Sequence, residues 1–290
     1  MNSKAKIFVI LLTAGILSGC LADIRPEALK SDLRADADTR GRQLLREVID
    51  AHGGLDNWKQ ARTVEFVARD HWEHWMGRIM FMPQEESGQL MRWQTSLGGD
   101  QAFIEMQEGP NKGERWVMQG WPMYRAQPGG QPDYGAGRKI HFYVASMNYA
   151  LQMPFRSANA EIVRYGGQSS LRGREYDLIY ITWQSAEPQK DVNQYVLWVD
   201  PRTHELEYLQ LTDRELMKAA SGFMEFGGWR TIDGLKVPSR ITSYKDVEKN
   251  VVMHELVVES AAFGVELRRE ARSKAPAPVM GEFGRRKTRY

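Results

Sequence analysis

Cysteine occurs once in 290 residues, at Cys20. That scarcity excludes a disulfide framework and a thiolate-rich metal site. Apolar runs are short as well. Ile7 to Leu17 is nearly all apolar over 11 residues, well under the roughly 20 that a helix needs to cross a bilayer, and no second candidate span follows. An excess of charge of either sign is also lacking. The formal net charge is +2, and Lys4 and Lys6 supply all of it; from residue 20 onward 37 basic side chains face 37 acidic ones. Such a balance gives no field for holding a phosphate backbone, so no nucleic-acid partner is expected.

Motifs that carry chemistry are scarce too. No GxSxG elbow and no phosphate-binding GxxxxGK[ST] loop occurs. His254-Glu255 opens like HExxH, but Val258 stands where the second histidine belongs. Gly135-Ala-Gly137 has Ile140 in place of a third glycine and reads as a loop. The run HWEHW puts His71, Glu73 and His74 close together. On a strand, alternation sends His71 and Glu73 to one face and His74 to the other, so the three do not converge. No catalytic, cofactor-binding or metal-ligating residue is singled out, and no cofactor is expected. An envelope hydrolase with a triad gathered from distant residues stays open, without a local motif to support it.

What the sequence does contain starts at its N-terminus. A basic start, the 11-residue apolar run and the small residues Ser18 and Gly19 lead straight into Cys20, the layout of a secretory signal. Leu17-Ser18-Gly19-Cys20 resembles the lipobox of bacterial lipoprotein signal peptides. The resemblance implies removal of residues 1–19, a diacylglyceryl group on the Cys20 thiol, and membrane lipid as the first partner. Leu21 stands where an aspartate would imply retention at the inner membrane, so the resemblance implies the outer membrane, with the domain facing the periplasm. An unmodified, buried Cys20 beside an ordinary signal is the plain alternative.

Residues 20–38 are polar, charged and Ala-rich, and read as a tether. The folded domain is expected over 39–264. It opens with a helix whose Leu44, Leu45, Val48 and Ile49 form one stripe, stopped by Gly53-Gly54. From Arg62 the period becomes two, and strands are predicted near 62–69, 77–83, 89–96, 101–107, 114–119 and 122–126. The turn-rich PGGQPDYGAG of 128–137 separates them from a helix over 138–153, ended by Pro154. Seven more strands are predicted at about 159–166, 173–183, 193–200, 204–213, 222–231, 237–246 and 250–262. The segment 265–290 lacks an apolar period and is expected to be a largely disordered basic tail. Its part from 268 carries eight Lys or Arg against two Glu. The fold class is mainly β (α+β): a long antiparallel sheet that must curl because sheets twist, with a helix to plug its open side.

AHGGLDNWKQARTVEF, YVLWVDPRTHELEYLQL and GGWRTIDGLKVPSRI together resemble the LolA/LolB-like superfamily of lipoprotein carriers. The likeness spans about 40–262. It implies an incomplete β-barrel of about eleven strands with a helical lid, and a concave face that holds acyl chains. The expected partners are a hydrophobic ligand, either a lipid or an acylated protein. The alternative is an assembly lipoprotein that docks another envelope protein. Tyr176, Leu178 and Tyr180 alternate with Ile179, Ile181 and Trp183, so both faces of that strand should be covered. The 14 methionines, many near the first sheet segment and the helix, suit an adaptable pocket. A plainly filled core fits the same residues.

Overall fold

The structure is a computed structural model that describes residues 21–31, 36–120, 122–135, 137–214 and 217–268. Residues 1–20, with the signal segment and Cys20, and residues 269–290 of the tail lie outside the described residues.

Among the described residues there are five α-helices, α1 (Glu27–Lys30), α2 (Ala37–Ala51), α3 (Leu55–Ala61), α4 (Trp75–Met80) and α5 (Arg138–Ala150), and a 3-10 helix at Phe155–Asn159. Helix α2 buries Leu44, Leu45, Val48 and Ile49, as its spacing predicts. Gly53 and Gly54 then turn the chain with φ of 111° and 86°, values that a side chain would resist.

Among the described residues, fourteen strands follow from the alternating segments. They are β1 (Thr63–Trp72), β2 (Gln89–Ser96), β3 (Gln101–Met106), β4 (Arg115–Gln119), β5 (Met123–Ala126), β6 (Ile162–Leu171), β7 (Arg174–Thr182), β8 (Tyr195–Val199), β9 (Leu206–Asp213), β10 (Met217–Gly227), β11 (Arg230–Ile232), β12 (Leu235–Val237), β13 (Arg240–Asp246) and β14 (Val251–Phe263). Twelve of them pair in one antiparallel sheet, ordered β5-β4-β3-β2-β1-β14-β13-β10-β9-β8-β7-β6, while β11 and β12 form a separate ribbon. The two edges, β5 and β6, are consecutive in sequence and do not pair. The chain between them carries α5. The sheet is thus curled and not closed, and α5 packs into the core on its concave side.

Three sequence expectations need correction. The strand expected over 77–83 is helix α4. Its Gly-Arg-Ile-Met-Phe-Met alternation looks extended, but the Met253 carbonyl takes the amides of both Glu73 and His74, which ends the ladder. His74 Nδ1 then accepts from Met76 N and starts the turn.

The segment 20–38 is not a free tether along the part described. Ile24, Leu29 and Ala37 are buried with Leu178, Tyr180 and Val196 on the outer face of the sheet. Ala22 N bonds to Lys218 O, and Arg214 donates to Ala22 O. This strap supplies the second cover that the doubly apolar β7 requires. Its inner face, Ile179 and Ile181, joins the main core instead.

The tail also starts later than expected. Thr63 Oγ1 donates to Val265 O, and Arg268 pairs with Glu105 at 3.1 Å.

Candidate functional site

The concave face of the sheet is covered by two helices. Helix α2 lies against β6, so close that a Cβ on Gly41 would stand 2.5 Å from Tyr165 N. Helix α5 covers the β1–β5 side with Ile140, Tyr143, Val144 and Met147. It meets the sheet through large rings: Tyr143 lies 5.9 Å from Trp93, 6.1 Å from Trp116 and 6.3 Å from Trp72. Met91, Met106, Met118, Met123, Met147 and Met153 are buried in the same cluster.

The two ends of α5 are held differently. At its C-terminal end, Thr95 Oγ1 donates to Asn148 Oδ1 at 2.5 Å. Gln152 bonds to Asn148 and receives the Gly98 amide. Arg156 follows with bonds to Gly99 O and Asp100. At its N-terminal end, Gly137 gives no side-chain cap, and no acid stands in the first turn. Lys139 Nζ donates to Ile79 O there, at 2.6 Å.

A polar cluster lies under α5. Asp70 is buried on β1 and bonds to His254 Nδ1 of β14 at 2.9 Å. Its other oxygen accepts from Trp72 Nε1 at 3.0 Å. His254 stacks on Trp72 at 4.3 Å. Burial, helped by the charge of Asp70, raises the Tyr143 hydroxyl well above its ordinary pKa. That hydroxyl faces Asp70 and Gln84, while Gln84 Oε1 and Trp93 Nε1 are buried without hydrogen-bond partners. Buried polar atoms without partners are costly, and these two lie beneath the same helix as the Asp70–His254 pair.

Ser243 stands opposite His254 in the β13–β14 register, which sets Asp70, His254 and Ser243 in a row across three strands. The row is not a hydrolytic triad as it stands, because the Ser243 hydroxyl has no hydrogen-bond partner and so no bond to His254. Neither His254 nor Asp70 was singled out as a site residue by sequence. They are 184 positions apart, and no local spacing links them.

The HWEHW residues do not come together. Trp72 closes β1, His74 caps α4, and among the described residues no group of three or more His, Cys, Asp or Glu is gathered as metal ligands would be. Two outer clefts complete the picture. One, of about 490 Å³, is walled by Glu85, Glu114, Arg125, Gln127 and Asp133. Three acids and one base line it, and Arg125 pairs with Asp133 at 3.1 Å. The other, of about 260 Å³, lies between the strap and β6–β7 beside Arg25, Lys30 and Arg164.

Two solved structures share this arrangement. One is a domain from Vibrio parahaemolyticus described as an outer membrane lipoprotein-sorting protein, with TM-score 0.51, 10% identity, and coverage of 80% of this chain and 95% of that one. The other is a DUF1329 family protein from Desulfovibrio piger, with TM-score 0.52, 11% identity, and coverage of 81% and 96%. The fold is that of these two domains. A LolA superfamily protein from Nitrosomonas europaea aligns more loosely, with TM-score 0.41, 14% identity, and coverage of 75% and 93%. No family model and no curated protein matches the sequence. At such identities the likeness establishes the architecture, and what the site does must be argued from this chain's own residues.

Proposed function

We propose that the chain is a lipid-anchored protein of the bacterial envelope, acylated at Cys20 at the outer membrane, whose half-barrel takes up the apolar chain of an amphiphile beneath α5. The observation that carries this reading is a sheet whose edges β5 and β6 do not pair, with α5, carried by the chain between them, packed on its concave face through rings and thioethers. Swinging the N-terminal end of α5 outward would give up the Lys139–Ile79 bond and other local contacts, but it would expose the concave surface between Trp72, Trp93 and Trp116 with every strand pair intact. Methionine thioethers adapt to chains of different shape at little cost. The unpartnered Gln84 Oε1 and Trp93 Nε1 give the ligand's polar end something to bond. A lipid or the acyl group of another protein fits these terms.

The test is extraction of the protein, purified from its own membranes, followed by titration of the stripped protein with a fluorescent fatty acid. Mass spectrometry should find an amphiphile in the extract, and uptake should saturate near one per chain with a change in tryptophan emission. An empty extract together with unsaturable, weak uptake would rule the reading out.

A further inference from the structure

Among the described residues, the exposed large hydrophobic side chains are Trp75 at 67%, Ile79 at 65%, Met80 at 50% and Tyr134 at 37%. Three of the four belong to α4. That helix is not loosely placed. Its base is fixed by the Met253 carbonyl, and Arg78 Nε donates to Trp72 O at 2.7 Å. Gly77 sits so tightly on Met253 that a Cβ would stand 2.6 Å from the sulfur. A short helix held firmly with its apolar residues outward calls for a covering partner.

The strap shows where that partner lies. Ala22 is bonded to Lys218 and Arg214 at the β9–β10 turn, and Ile24 N donates to Gln194 Oε1 at 3.2 Å. Cys20 is two residues before Ala22, at most about 7 Å of chain. The register connects Trp72 to His254, Ser243 to Met224 and Met224 to Leu209 across neighbouring strands. Beyond this common level β1 runs on into α4, and β9 runs on to Asp213 and the turn. Both therefore leave the sheet at the same end. The strand that carries Met253 and the strand that carries Lys218 are two ladder spacings apart, about 10 Å.

We infer that this end of the sheet is a membrane-docking face. On it, acylated Cys20 enters the bilayer beside the β9–β10 turn, and Trp75, Ile79 and Met80 sink into the interface of the same leaflet. The partner is a phospholipid surface, for which an indole at the headgroup level and aliphatic chains just below it are suited. The inference rests on the anchor proposed above. It adds that the domain does not swing on a leash: the strap and α4 hold it in one orientation.

Spin labelling tests it on the whole mature chain, purified from membranes and reconstituted into vesicles of phosphatidylethanolamine and phosphatidylglycerol. Ile79→Cys and Lys59→Cys each carry one nitroxide; Lys59 is exposed on α3, before β1 and so at the opposite end. An acylated Cys20 cannot be labelled, so a wild-type chain that takes up label refutes the anchor separately. In vesicle-bound protein, collisions with oxygen should exceed those with an aqueous nickel chelate several-fold at position 79, with the reverse at 59. Equal, water-like behaviour at both positions would overturn the docking face. If the chain proves unacylated, failure to float with the vesicles would overturn it equally.

Discussion

The two helices that cover the concave face do so in different ways. Helix α2 lies backbone to backbone on β6, through Gly41 and the stripe of Leu44, Leu45, Val48 and Ile49. Helix α5 stands off from β1–β5 on aromatic rings and thioethers, with a polar cluster buried below it. Side chains without branches and rings in contact over long lever arms can rearrange, whereas a backbone contact cannot. One half of the interior is therefore built as a fixed core and the other as a cover. A sheet whose edges do not meet gains from this division, because the fixed half holds the curl while the other half changes.

The sharpest way to break the comparison is at Gly41. Gly41→Ala places a methyl group 2.5 Å from Tyr165 N and 2.6 Å from the Arg164 carbonyl carbon. Neither atom belongs to a flexible side chain, so α2 must lift from β6. The expected loss is about 3 kcal/mol or more, read from urea unfolding. A loss under about 1 kcal/mol would show that α2 is as adjustable as α5.

Acid should weaken the α2 half next. His52 lies just past the end of α2 with Nδ1 donating to Val48 O at 2.7 Å and its ring edge-on to Trp229. Burial lowers its pKa from 6.5 to about 4. Above pH 6.5 the imidazole is neutral in both folded and unfolded chains and costs nothing. As pH falls below 6.5 the unfolded chain takes up a proton that the folded chain refuses, and stability drops until about pH 4, where the folded chain protonates too. The whole window amounts to roughly 3 kcal/mol. His52→Gln should lose less stability than the parent between pH 7.5 and 4.5, by roughly 2 kcal/mol on the same scale. Parallel pH profiles would exclude His52 as the source.

Much of this division could be read from residues in order, and the exceptions have physical reasons. Strands such as β2 and β3 follow from local alternation, and α2 and α5 from apolar residues three and four apart. The doubly apolar β7 correctly signalled that its outer face is covered. What covers it was missed, because Ile24, Leu29 and Ala37 are single anchors without a period. Segment 77–83 misled because a short Gly-Arg-Ile-Met-Phe-Met run alternates by chance, and the choice between strand and helix was made by a carbonyl of Met253 far along the chain. The Asp70–His254 pair left no local trace for the same reason: only the pairing of β1 with β14 brings the two together.

At the α5 half, the pinned end offers a smaller and more selective effect. Asn148→Leu removes the acceptor of Thr95 Oγ1 and of Gln152 Nε2 in a buried setting. Thr95 Oγ1 can still donate to Gln101 O and Gln152 Nε2 to Thr95 Oγ1, so loss of the two bonds should cost about 1–2 kcal/mol. The informative readout is where the loss falls. Amide hydrogen exchange should quicken along 138–150 and stay unchanged along 37–51. Equal loosening of both helices would mean that they form one cooperative unit and that the comparison is false.

Met147→Leu is expected to change stability least and to say most about the cover. The side chain is fully buried on α5, at 2% exposure, among the rings and thioethers of the concave face. Leucine has nearly the same volume, so the cost should stay below about 1.5 kcal/mol. It is also branched and has fewer rotatable bonds, so it fits one packing and adjusts poorly to others. If the β1–β5 side is an adaptable surface, the variant should keep its affinity for one fluorescent fatty acid and lose it several-fold for chains a few carbons longer or shorter. The parent should bind that series almost evenly. A variant whose chain-length profile overlays the parent's would show that α5 covers a fixed core, as α2 does, and that the asymmetry between the two helices lies only in how closely they approach the sheet.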